Sequence, residues 1–383
     1  MEKTKKVLIV AGEASGDLHA ANLVEAVNEK LPNVEWFGLG GKRMLKKGVR
    51  IIADPTGLAV VGFWEVVKNI FYYKKIFKKI LWHCAQEKPD LAILVDYPGF
   101  NLHLSKVLKQ RGIPVLYYIS PQIWAWAPQR IKTIKETVTH MLVFFDFEEE
   151  LYRKAKVKVT WVGHPLVETT KLTRNTKEIF QELKLSPEKL TICLLPGSRA
   201  KEVKVLLPLM LECARIIKES VDNIQFVLAK SSTVEEKVYL RYCQALNLSL
   251  AEVYDNTVEA LAVSDVALVC SGTATLETAL MQVPMVIVYK VSFLTWIFAR
   301  LFIRIPYIGL VNVVYGAKLI PEFLQSNARA FTIANVIIKL LEDKKQRERI
   351  REILSTIRQK LGPSGATLRA ADIVIRYLEE KSS

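Results

Sequence analysis

Cysteine is scarce in this 383-residue sequence, and its spacing excludes several kinds of site. The five cysteines include no Cys-x-x-Cys pair, and several lie inside apolar runs. Buried free thiols in a reducing compartment are therefore expected, rather than disulfides or a cysteine metal site. The sequence also lacks low-complexity tracts and short-period repeats, so it shows no sign of a repeat architecture.

Long hydrophobic runs are missing as well. The first apolar run, 7–11, is short and ends in a glycine turn, unlike a secretory signal peptide. The most hydrophobic region, 283–314, is interrupted by basic residues and a proline, and its charge-free part, 291–299, is too short to span a bilayer. We therefore expect a cytoplasmic protein that touches a membrane surface rather than crossing it.

Acidic residues are outnumbered by basic ones. Lysine and arginine total 54 against 39 aspartates and glutamates, which gives a formal net charge of +15 and an isoelectric point of about 9.4. This excess suggests an anionic partner such as a nucleotide, a phospholipid surface or a nucleic acid. Half of the residues are apolar, so the chain is globular, and its length suits two domains.

One stretch, 264–281, combines the features of a nucleotide site. Residues 266–270 are typical of a buried strand, and a helix carrying Glu277 follows after a turn of small residues. The turn consists of Ser271, Gly272, Thr273, Ala274 and Thr275. Small side chains let a phosphate approach the backbone, and the helix N-terminus attracts it. Glu277 is placed to accept hydrogen bonds from two sugar hydroxyls. An ordinary strand-to-helix turn explains this stretch equally well.

The start of the chain predicts the first unit of a doubly wound α/β fold. Strand 6–11 is followed by the turn 12–17, Gly-Glu-Ala-Ser-Gly-Asp, and ligands bind at such strand ends. The turn is not the dinucleotide pattern G-x-G-x-x-G, and its two carboxylates disfavour a pyrophosphate. A hydroxylated or neutral ligand group near Ser15 fits better, and a plain tight turn is the alternative.

Later strand ends carry a carboxylate and aromatic side chains. Asp96 follows strand 91–95, where α/β enzymes place a general base, although a helix cap is the structural alternative. The next strand leads into 120–126, Ser-Pro-Gln-Ile-Trp-Ala-Trp, whose indoles must pack on the core or on a sugar or acyl chain. His164 is either a donor in the site or a hydrogen-bonded structural histidine.

The segment 59–85 has helical spacing of apolar residues with a separate stripe of lysines. Aromatic residues surround that stripe, and an anionic membrane surface attracts such a helix. A core helix with a solvated lysine face is the alternative. The candidates for membrane contact are Trp64, Lys68, Phe71, Tyr72, Lys75 and Lys79.

A polar, lysine-rich stretch separates the first half from a second α/β series. Strand 190–195 ends in Pro-Gly-Ser-Arg, which places Arg199 to contact a diphosphate in bidentate fashion, although a surface arginine is the alternative. The apolar segment 293–303 is expected to contact lipid, another subunit or the core. Asn312 and Gln325 are polar groups in an apolar region, so they need partners such as a uracil or sugar hydroxyls.

These features predict an α/β fold of GT-B type, with two Rossmann-like parallel-sheet domains and an interdomain cleft. The predicted divisions are 1–168 for an acceptor and membrane-facing domain, 169–189 for a linker, 190–345 for a nucleotide-sugar domain, and 346–383 for C-terminal helices. We expect those last helices to pack back on the first domain or on a partner subunit.

The ordered series of motifs resembles the lipid-A-disaccharide synthase family over nearly the whole chain. The motifs are GEASGD at 12–17, VDYPGFN at 95–101, SPQIWAW at 120–126, GHP at 163–165, LPGSR at 195–199, SGTATLE at 271–277 and PEFLQ at 321–325. Each motif alone is weak, and their joint occurrence is specific. Tyr315 departs from the family, which more often has a small residue at that position.

The resemblance implies an inverting glycosyltransferase of lipid A biosynthesis. Its reaction would join UDP-2,3-diacylglucosamine to 2,3-diacylglucosamine 1-phosphate (lipid X), giving a β(1→6) disaccharide and UDP. Asp96 would deprotonate the acceptor 6-hydroxyl, while Arg199 and the 271–275 turn would bear the charge on UDP without a metal or other cofactor. Glu277 would hold the ribose, and Asn312 would help to bind UDP. The acceptor-positioning candidates are Ser15, Gly16, Gln122, Trp124, His164 and Gln325.

The resemblance also implies a location and a partner. The protein would work on the cytoplasmic face of a Gram-negative inner membrane, because the acyl chains leave the bilayer only partly. A homodimer that exchanges C-terminal segments is implied as well, with 293–303 at its interface.

Two rival functions remain open from the sequence. The first is another UDP-sugar enzyme of the same fold, such as a UDP-N-acetylglucosamine 2-epimerase, which needs no acyl-chain groove. The second is a basic protein that binds lipid or nucleic acid, although the sequence contains no nucleic-acid-binding motif and this rival leaves Asp96 and Glu277 unexplained.

Overall fold

A computed structural model of the chain describes residues 4–56, 70–244, 248–291, 296 and 305–380. The chain divides into two compact units. Unit 1 consists of Met1–Pro165 together with Gly362–Ser383, and unit 2 consists of Leu166–Leu361.

Unit 1 is built on a seven-stranded sheet in which every described pairing is parallel. The strands are β1 (Lys5–Ala11), β2 (Val34–Leu39), β3 (Arg50–Ala53), β4 (Leu91–Val95), β5 (Val115–Tyr118), β6 (His140–Val143) and β7 (Val159–Trp161). Their order in the sheet is β3-β2-β1-β4-β5-β6-β7. The order reverses between β1 and β4, and this reversal is where doubly wound folds bind ligands.

Continuous apolar runs explain the central strands. The sequence of β4, Leu-Ala-Ile-Leu-Val, is buried along its whole length. A parallel strand covered by helices on both faces has no solvent side, so it needs no polar alternation. The helices of this part of unit 1 are α1 (Ala14–Lys30), α2 (Lys42–Lys46), α3 (Ile70–Glu87), α4 (Pro98–Gln110), α5 (Ile123–Trp126), α6 (Arg130–Thr137) and α7 (Asp146–Lys154).

Unit 2 contains a six-stranded sheet, again with parallel pairings among the described strands. The strands are β8 (Leu190–Leu195), β9 (Ile224–Lys230), β10 (Leu250–Tyr254), β11 (Val266–Cys270), β12 (Met285–Tyr289) and β13 (Glu322–Leu324). Their order is β10-β9-β8-β11-β12-β13, so the reversal falls between β8 and β11. The short strand β13 was not predicted, because three residues carry no readable period.

The helices of unit 2 cover both faces of that sheet. They are α8 (Leu166–Thr169), α9 (Thr176–Glu182), α10 (Ala200–Ser220), α11 (Glu236–Cys243), α12 (Thr257–Ala262), α13 (Ala274–Leu280), α14 (Leu310–Tyr315), α15 (Ala330–Glu342) and α16 (Lys344–Lys360). The region predicted as a linker, 169–189, includes α9. A buried cluster formed mainly by α10, α15 and the central strands is the core of this unit.

The last helix, α17 (Ala366–Glu380), belongs to unit 1 and packs against α1. Lys30 and Asp372 form an ion pair between the two helices at 2.5 Å. Arg369 donates from Nε and Nη2 to the carbonyl of Val162, at 2.9 and 2.6 Å. Of the predicted C-terminal segment 346–383, α16 therefore lies in unit 2 and α17 in unit 1.

The predicted α/β class with two Rossmann-like parallel sheets is confirmed. The predicted boundaries at 168, 189 and 345 stay predictions. None of the helices in the described ranges is long and apolar enough to cross a membrane.

Candidate functional site

In unit 1 the C-terminal ends of β1 and β4 bring two predicted motifs together. Ala11 pairs with Val95 in the sheet register, so the turn after β1 lies beside Asp96. Ser15 and Gly16 are in the first turn of α1, where Ser15 is exposed and Gly16 is buried. The register of the sheet thus explains why two motifs far apart in the sequence share one site.

The backbone around Asp96 adopts conformations that side chains normally avoid. Asp96, Tyr97 and Ile119 have φ angles of 44°, 51° and 69°, and the last of these is β-branched. Such strain persists only where the surroundings hold it, and it concentrates at functional sites. Two hydrogen bonds hold the Asp96 carbonyl, from the Tyr117 hydroxyl at 2.6 Å and from Asn101 Nδ2 at 2.8 Å.

The Asp96 carboxyl group is electrostatically perturbed. Burial raises its pKa to about 7, and the charge of Glu13 contributes to this rise. The backbone amide of Tyr97 acts in the opposite direction. A carboxylate with a pKa near neutrality is a stronger base than an ordinary aspartate and still ionises at neutral pH. This is the protonation behaviour that a general base needs.

The predicted aromatic loop is anchored at several points. Ser120 Oγ and the Tyr152 hydroxyl are 2.9 Å apart, and Trp124 Nε1 donates to Glu148 Oε1 at 3.1 Å. Glu148 is buried in α7, and burial raises its pKa to about 7. Gln122 is exposed at the N-terminus of α5. Trp124 is therefore held by the protein, while Gln122 is open to solvent.

His164 lies in a buried aromatic cluster. Its ring centroid is 5.1 Å from Phe144 and 5.3 Å from Phe145, and His19 packs on Phe144 at 5.4 Å. Burial lowers the pKa of His164 to about 3 and that of His19 to about 4. Both imidazoles are therefore neutral at physiological pH, and neither supplies a positive charge to a ligand.

In unit 2 two turns adjoin at the ends of β8 and β11, because Leu195 pairs with Val269. Gly197 has φ of +105°, and a Cβ atom there would come within 2.6 Å of Glu202 Oε2. Arg199 is the exposed N-terminal cap residue of α10, and its Nη1 lies 2.9 Å from Glu202 Oε1. A guanidinium thus stands at the N-terminus of a 21-residue helix, where an anion is favoured.

The small-residue turn after β11 is built by backbone and hydroxyl bonds. Gly272 has φ of +145°, which only glycine adopts without strain. Thr275 Oγ1 donates to the Gly272 carbonyl at 2.7 Å, and Ser271 Oγ donates to the Ile308 carbonyl at 3.0 Å. Thr273 is exposed and Ala274 is half-buried at the start of α13. Thr275 and Ser271 thus act partly as structural ties.

Two predicted donor-site residues have protein partners. Glu277 is half-buried on α13. Burial raises its pKa, and a hydrogen bond from Thr257 opposes that shift.

Asn312 is fully buried, and its Nδ2 donates to the Ile320 carbonyl and to Glu322 Oε1, both at 2.8 Å. Its Oδ1 accepts from the amides of Leu319 at 3.0 Å and Ile320 at 2.8 Å. These four bonds saturate the amide, so Asn312 shapes the 319–322 loop rather than offering a polar atom to a ligand.

The remaining predicted residues are placed as follows. Gln325 has φ of 50° and lies in unit 2, whereas the other acceptor-positioning candidates lie in unit 1.

The described membrane-contact candidates lie on α3, where the side chain of Phe71 is 81% exposed and Lys75 is exposed. Tyr72 is half-buried and Lys79 is exposed, and they donate to the carbonyls of Asp54 at 3.3 Å and Ile52 at 2.7 Å. Trp64, Lys68 and segment 293–303 are outside the described residues, apart from Trp296.

Sequence reasoning missed several residues that shape the unit 1 site. Glu13 was considered only as an obstacle to a pyrophosphate, yet its charge acts on Asp96. Tyr117 was assigned only to a strand, and Glu148 was given no assignment. Their roles depend on contacts 21 and 24 residues away in sequence, with Asp96 and Trp124. A local pattern in the sequence does point to Glu148. It lies three residues after Phe145, the N-cap of α7, and a glutamate at that position typically caps the helix.

Comparisons with known proteins agree with this arrangement. A family model described as Lipid-A-disaccharide synthetase matches residues 7–372. The chain is 42% identical over 378 residues to a lipid-A-disaccharide synthase of Syntrophus aciditrophicus, covering 98% of this chain and 99% of that protein.

Solved structures share the fold at low sequence identity. The glycotransferase of kitacinnamycin superposes with a TM-score of 0.66 at 14% identity, covering 98% of this chain and 100% of that chain. A UDP-GlcNAc 2-epimerase from Neisseria meningitidis bound to UDP-GlcNAc gives a TM-score of 0.57 at 14% identity, with the same coverages. This likeness places the chain among GT-B folds.

Proposed function

Since the chain belongs to the lipid-A-disaccharide synthase family and is thus a glycosyltransferase of lipid A biosynthesis, we propose that it joins UDP-2,3-diacylglucosamine to 2,3-diacylglucosamine 1-phosphate. The products are the β(1→6)-linked disaccharide 1-phosphate and UDP. The configuration at the anomeric carbon inverts, because the acceptor oxygen attacks the face opposite the leaving UDP.

The observation that carries the proposal is the state of Asp96. Its strained backbone, its place at the sheet reversal and its pKa near 7 support the role of base toward the acceptor 6-hydroxyl. As the O–C bond forms, the hydroxyl proton passes to the Asp96 carboxylate. A general base of this kind contributes about 10²- to 10⁴-fold in rate.

The departing UDP gains negative charge as the glycosidic bond breaks. In the proposed mechanism Arg199 and the α10 N-terminus accept that charge, after the guanidinium turns from Glu202 to the diphosphate. The 271–275 turn adjoins this position through the β8–β11 pairing and admits the phosphates closely. Glu277 is assigned to the ribose, and Asn312 to shaping the pocket wall. The assignment uses charges of the protein and no metal.

The acyl chains of both substrates require a lipid surface. Phe71 and Trp82 are 81% and 59% exposed on α3, and Lys75 is exposed on the same helix. Exposed aromatics beside lysines support contact with an anionic leaflet, which we assign to the cytoplasmic face of the inner membrane. A homodimer remains part of the proposal.

The test is release of UDP from UDP-2,3-diacylglucosamine, with and without the acceptor, for the wild type and Asp96→Asn. We expect acceptor-dependent release that falls by about 10²-fold or more in the variant. Asp146→Asn, at an exposed aspartate of the same unit, is the control and should behave as wild type.

The same assay separates the rival functions. Release that is equal without acceptor would indicate hydrolysis or epimerase-like chemistry and would contradict the transferase reaction. Turnover of soluble UDP-N-acetylglucosamine would favour the epimerase. If the wild type released no UDP, and Asp96→Asn and Arg199→Ala both bound lipid or nucleic acid as the wild type does, a purely binding function would gain support.

A further inference from the structure

An arginine that none of the proposed steps uses lies beside the aromatic loop. Arg130 is the first residue of α6, and its guanidinium carbon is 4.3 Å from the centroid of the Trp126 ring. Its side chain is half-buried, and its Nη1 atom is buried without a hydrogen-bond partner among the residues that the structure describes. No carboxylate within the same described ranges forms an ion pair with it.

This arrangement raises the free energy of the folded protein when no ligand is bound. A guanidinium stays charged under all ordinary conditions, and burying one of its N–H groups without a partner costs free energy. Burial lowers the pKa of Arg130, which reports the same loss of hydration. Unpaired guanidinium donors that are partly desolvated match the oxygens of a phosphate group, which arginine binds in bidentate fashion.

The loop around Arg130 is held in place. Ile123 and Ala125 are buried, and Trp124 is bonded to Glu148, so the short helix α5 has a defined position. Trp126, at the end of α5, is 40% exposed. Its indole therefore offers one face to the guanidinium and keeps an open surface beside it. Stacking fixes the plane of the guanidinium and hence the direction of its donors.

Tyr117 connects this arginine with the assigned base. The Tyr117 hydroxyl donates to the Asp96 carbonyl at 2.6 Å. Burial raises the pKa of Tyr117 well above its usual range, the charge of Asp96 raises it further, and the charge of Arg130 lowers it. Val95 pairs with Tyr118 in the sheet register, so Asp96 and the loop that leads from β5 to Arg130 lie at the same edge of the sheet.

We propose that Arg130, stacked on Trp126, binds the phosphate monoester of the acceptor sugar and so orients its 6-hydroxyl toward Asp96. This inference rests on the function proposed above and adds a specificity-determining residue to it. A pyranose ring separates the 6-hydroxyl from the anomeric phosphate, so the acceptor needs a base and a cation in one neighbourhood but not in contact. An acceptor without the phosphate leaves the guanidinium without an anionic partner, and the site discriminates against it.

The kinetic test compares two acceptors, 2,3-diacylglucosamine with and without its 1-phosphate. We expect the wild type to prefer the phosphorylated acceptor by about 10- to 100-fold in kcat/KM, the scale of one or two charge-assisted hydrogen bonds. Arg130→Gln should abolish most of that preference by raising the KM for the phosphorylated acceptor, while the KM for the UDP-sugar stays unchanged. Arg130→Lys should restore part of it, and Arg153→Gln, on the exposed surface of α7, should have no effect.

Two kinetic results would overturn the assignment of Arg130 to the acceptor phosphate. If Arg130→Gln lowers kcat for both acceptors by the same factor, the arginine is a structural residue and the inference is wrong. If the variant instead raises the KM for the UDP-sugar alone, Arg130 serves the donor phosphates, and the assignment to the acceptor is overturned.

A second measurement does not depend on turnover. Glucosamine 1-phosphate should protect Arg130 from modification by phenylglyoxal, whereas glucosamine should not. The full-length protein is treated with the reagent and then digested, and mass spectrometry of the peptides measures the modification of Arg130. Protection together with no UDP release would refute the proposed reaction while supporting the phosphate site. Release of UDP without any protection at saturating glucosamine 1-phosphate would leave the reaction standing and overturn the phosphate site.

Discussion

The ring of Tyr97 occupies the space in which any side chain at position 12 would have to stand. A Cβ atom built on Gly12 would lie 2.3 Å from Cγ and Cδ1 of that ring. Tyr97 follows Asp96 directly, and both residues have positive φ angles. The absence of a side chain at Gly12 therefore allows the strained conformation that presents the Asp96 carboxyl group.

Gly12→Ala should reduce activity far more than it reduces stability. The added methyl group must push the Tyr97 ring aside and shift Asp96 with it, and a displacement of about 1 Å in a catalytic group can cost about 10²-fold in rate. We would measure kcat for acceptor-dependent UDP release alongside the urea midpoint of unfolding. Gly99→Ala, where a Cβ atom meets open space, is the matched control and should retain activity. Full activity in Gly12→Ala would refute the link between this contact and the base.

Glu13→Gln should move the pH dependence of the reaction to lower pH. Asp96 acts as a base when ionised, so kcat/KM of the wild type should fall about tenfold per pH unit below a pKa of about 7. The Glu13 charge raises that pKa, so its removal lowers the pKa and shifts the acid limb downward. Burial is the larger cause, so the pKa should still exceed that of an exposed aspartate.

The measurement is a pH profile of kcat/KM between about pH 5 and 9, on either side of the Asp96 pKa. Glu29→Gln, at the exposed far end of α1, is the control for a lost negative charge. An acid limb that stays in place, or moves to higher pH, would contradict the assigned coupling between Glu13 and Asp96.

Arg199→Ala should weaken stabilisation of the departing diphosphate. Removing one charged donor to a developing negative charge typically costs about 10²- to 10³-fold in kcat. Arg199→Lys should recover part of the loss, because the charge remains but the bidentate geometry does not. Treatment of the wild type with EDTA should leave the rate unchanged. A large loss with EDTA that added Mg²⁺ restores would show that a metal bears this charge instead.

Lys230→Met should destabilise unit 2 without entering the chemistry. The Lys230 side chain is 1% exposed and lies 2.9 Å from Glu236 and 2.5 Å from Glu252, with the Tyr254 hydroxyl at 3.0 Å. Glu236 and Glu252 are 45% and 37% exposed, so water screens their charges and the loss of both ion pairs should cost about 1 kcal/mol. Urea unfolding provides the measurement, with the exposed Lys237→Met as the control, expected within about 0.5 kcal/mol of wild type. Equal midpoints for the two variants would show that the buried cluster contributes nothing to stability.

The strand ends that carry Asp96, Arg199 and the 271–275 turn are predictable from the sequence alone. Their strands are continuous apolar runs bounded by glycine, proline and small polar residues, and both signals are local in sequence. The same signal was too weak for β13 and α14, which are only three and six residues long. Asn312 lies in α14, and its partners are the backbone and Glu322 of its own loop, which the sequence did not indicate.

The sequence by itself determined the two α/β series, the positions of the reactive turns and the family, because these depend on local hydrophobic patterns and on motifs that remain in order. Only the tertiary structure decided which groups act on one another. The pairing of β1 with β4 brings Glu13 to Asp96, and the docking of α5 on α7 joins Trp124 to Glu148. These contacts depend on strand register and on burial by distant segments, and burial in turn sets the pKa of each carboxyl group. No local pattern encodes either quantity.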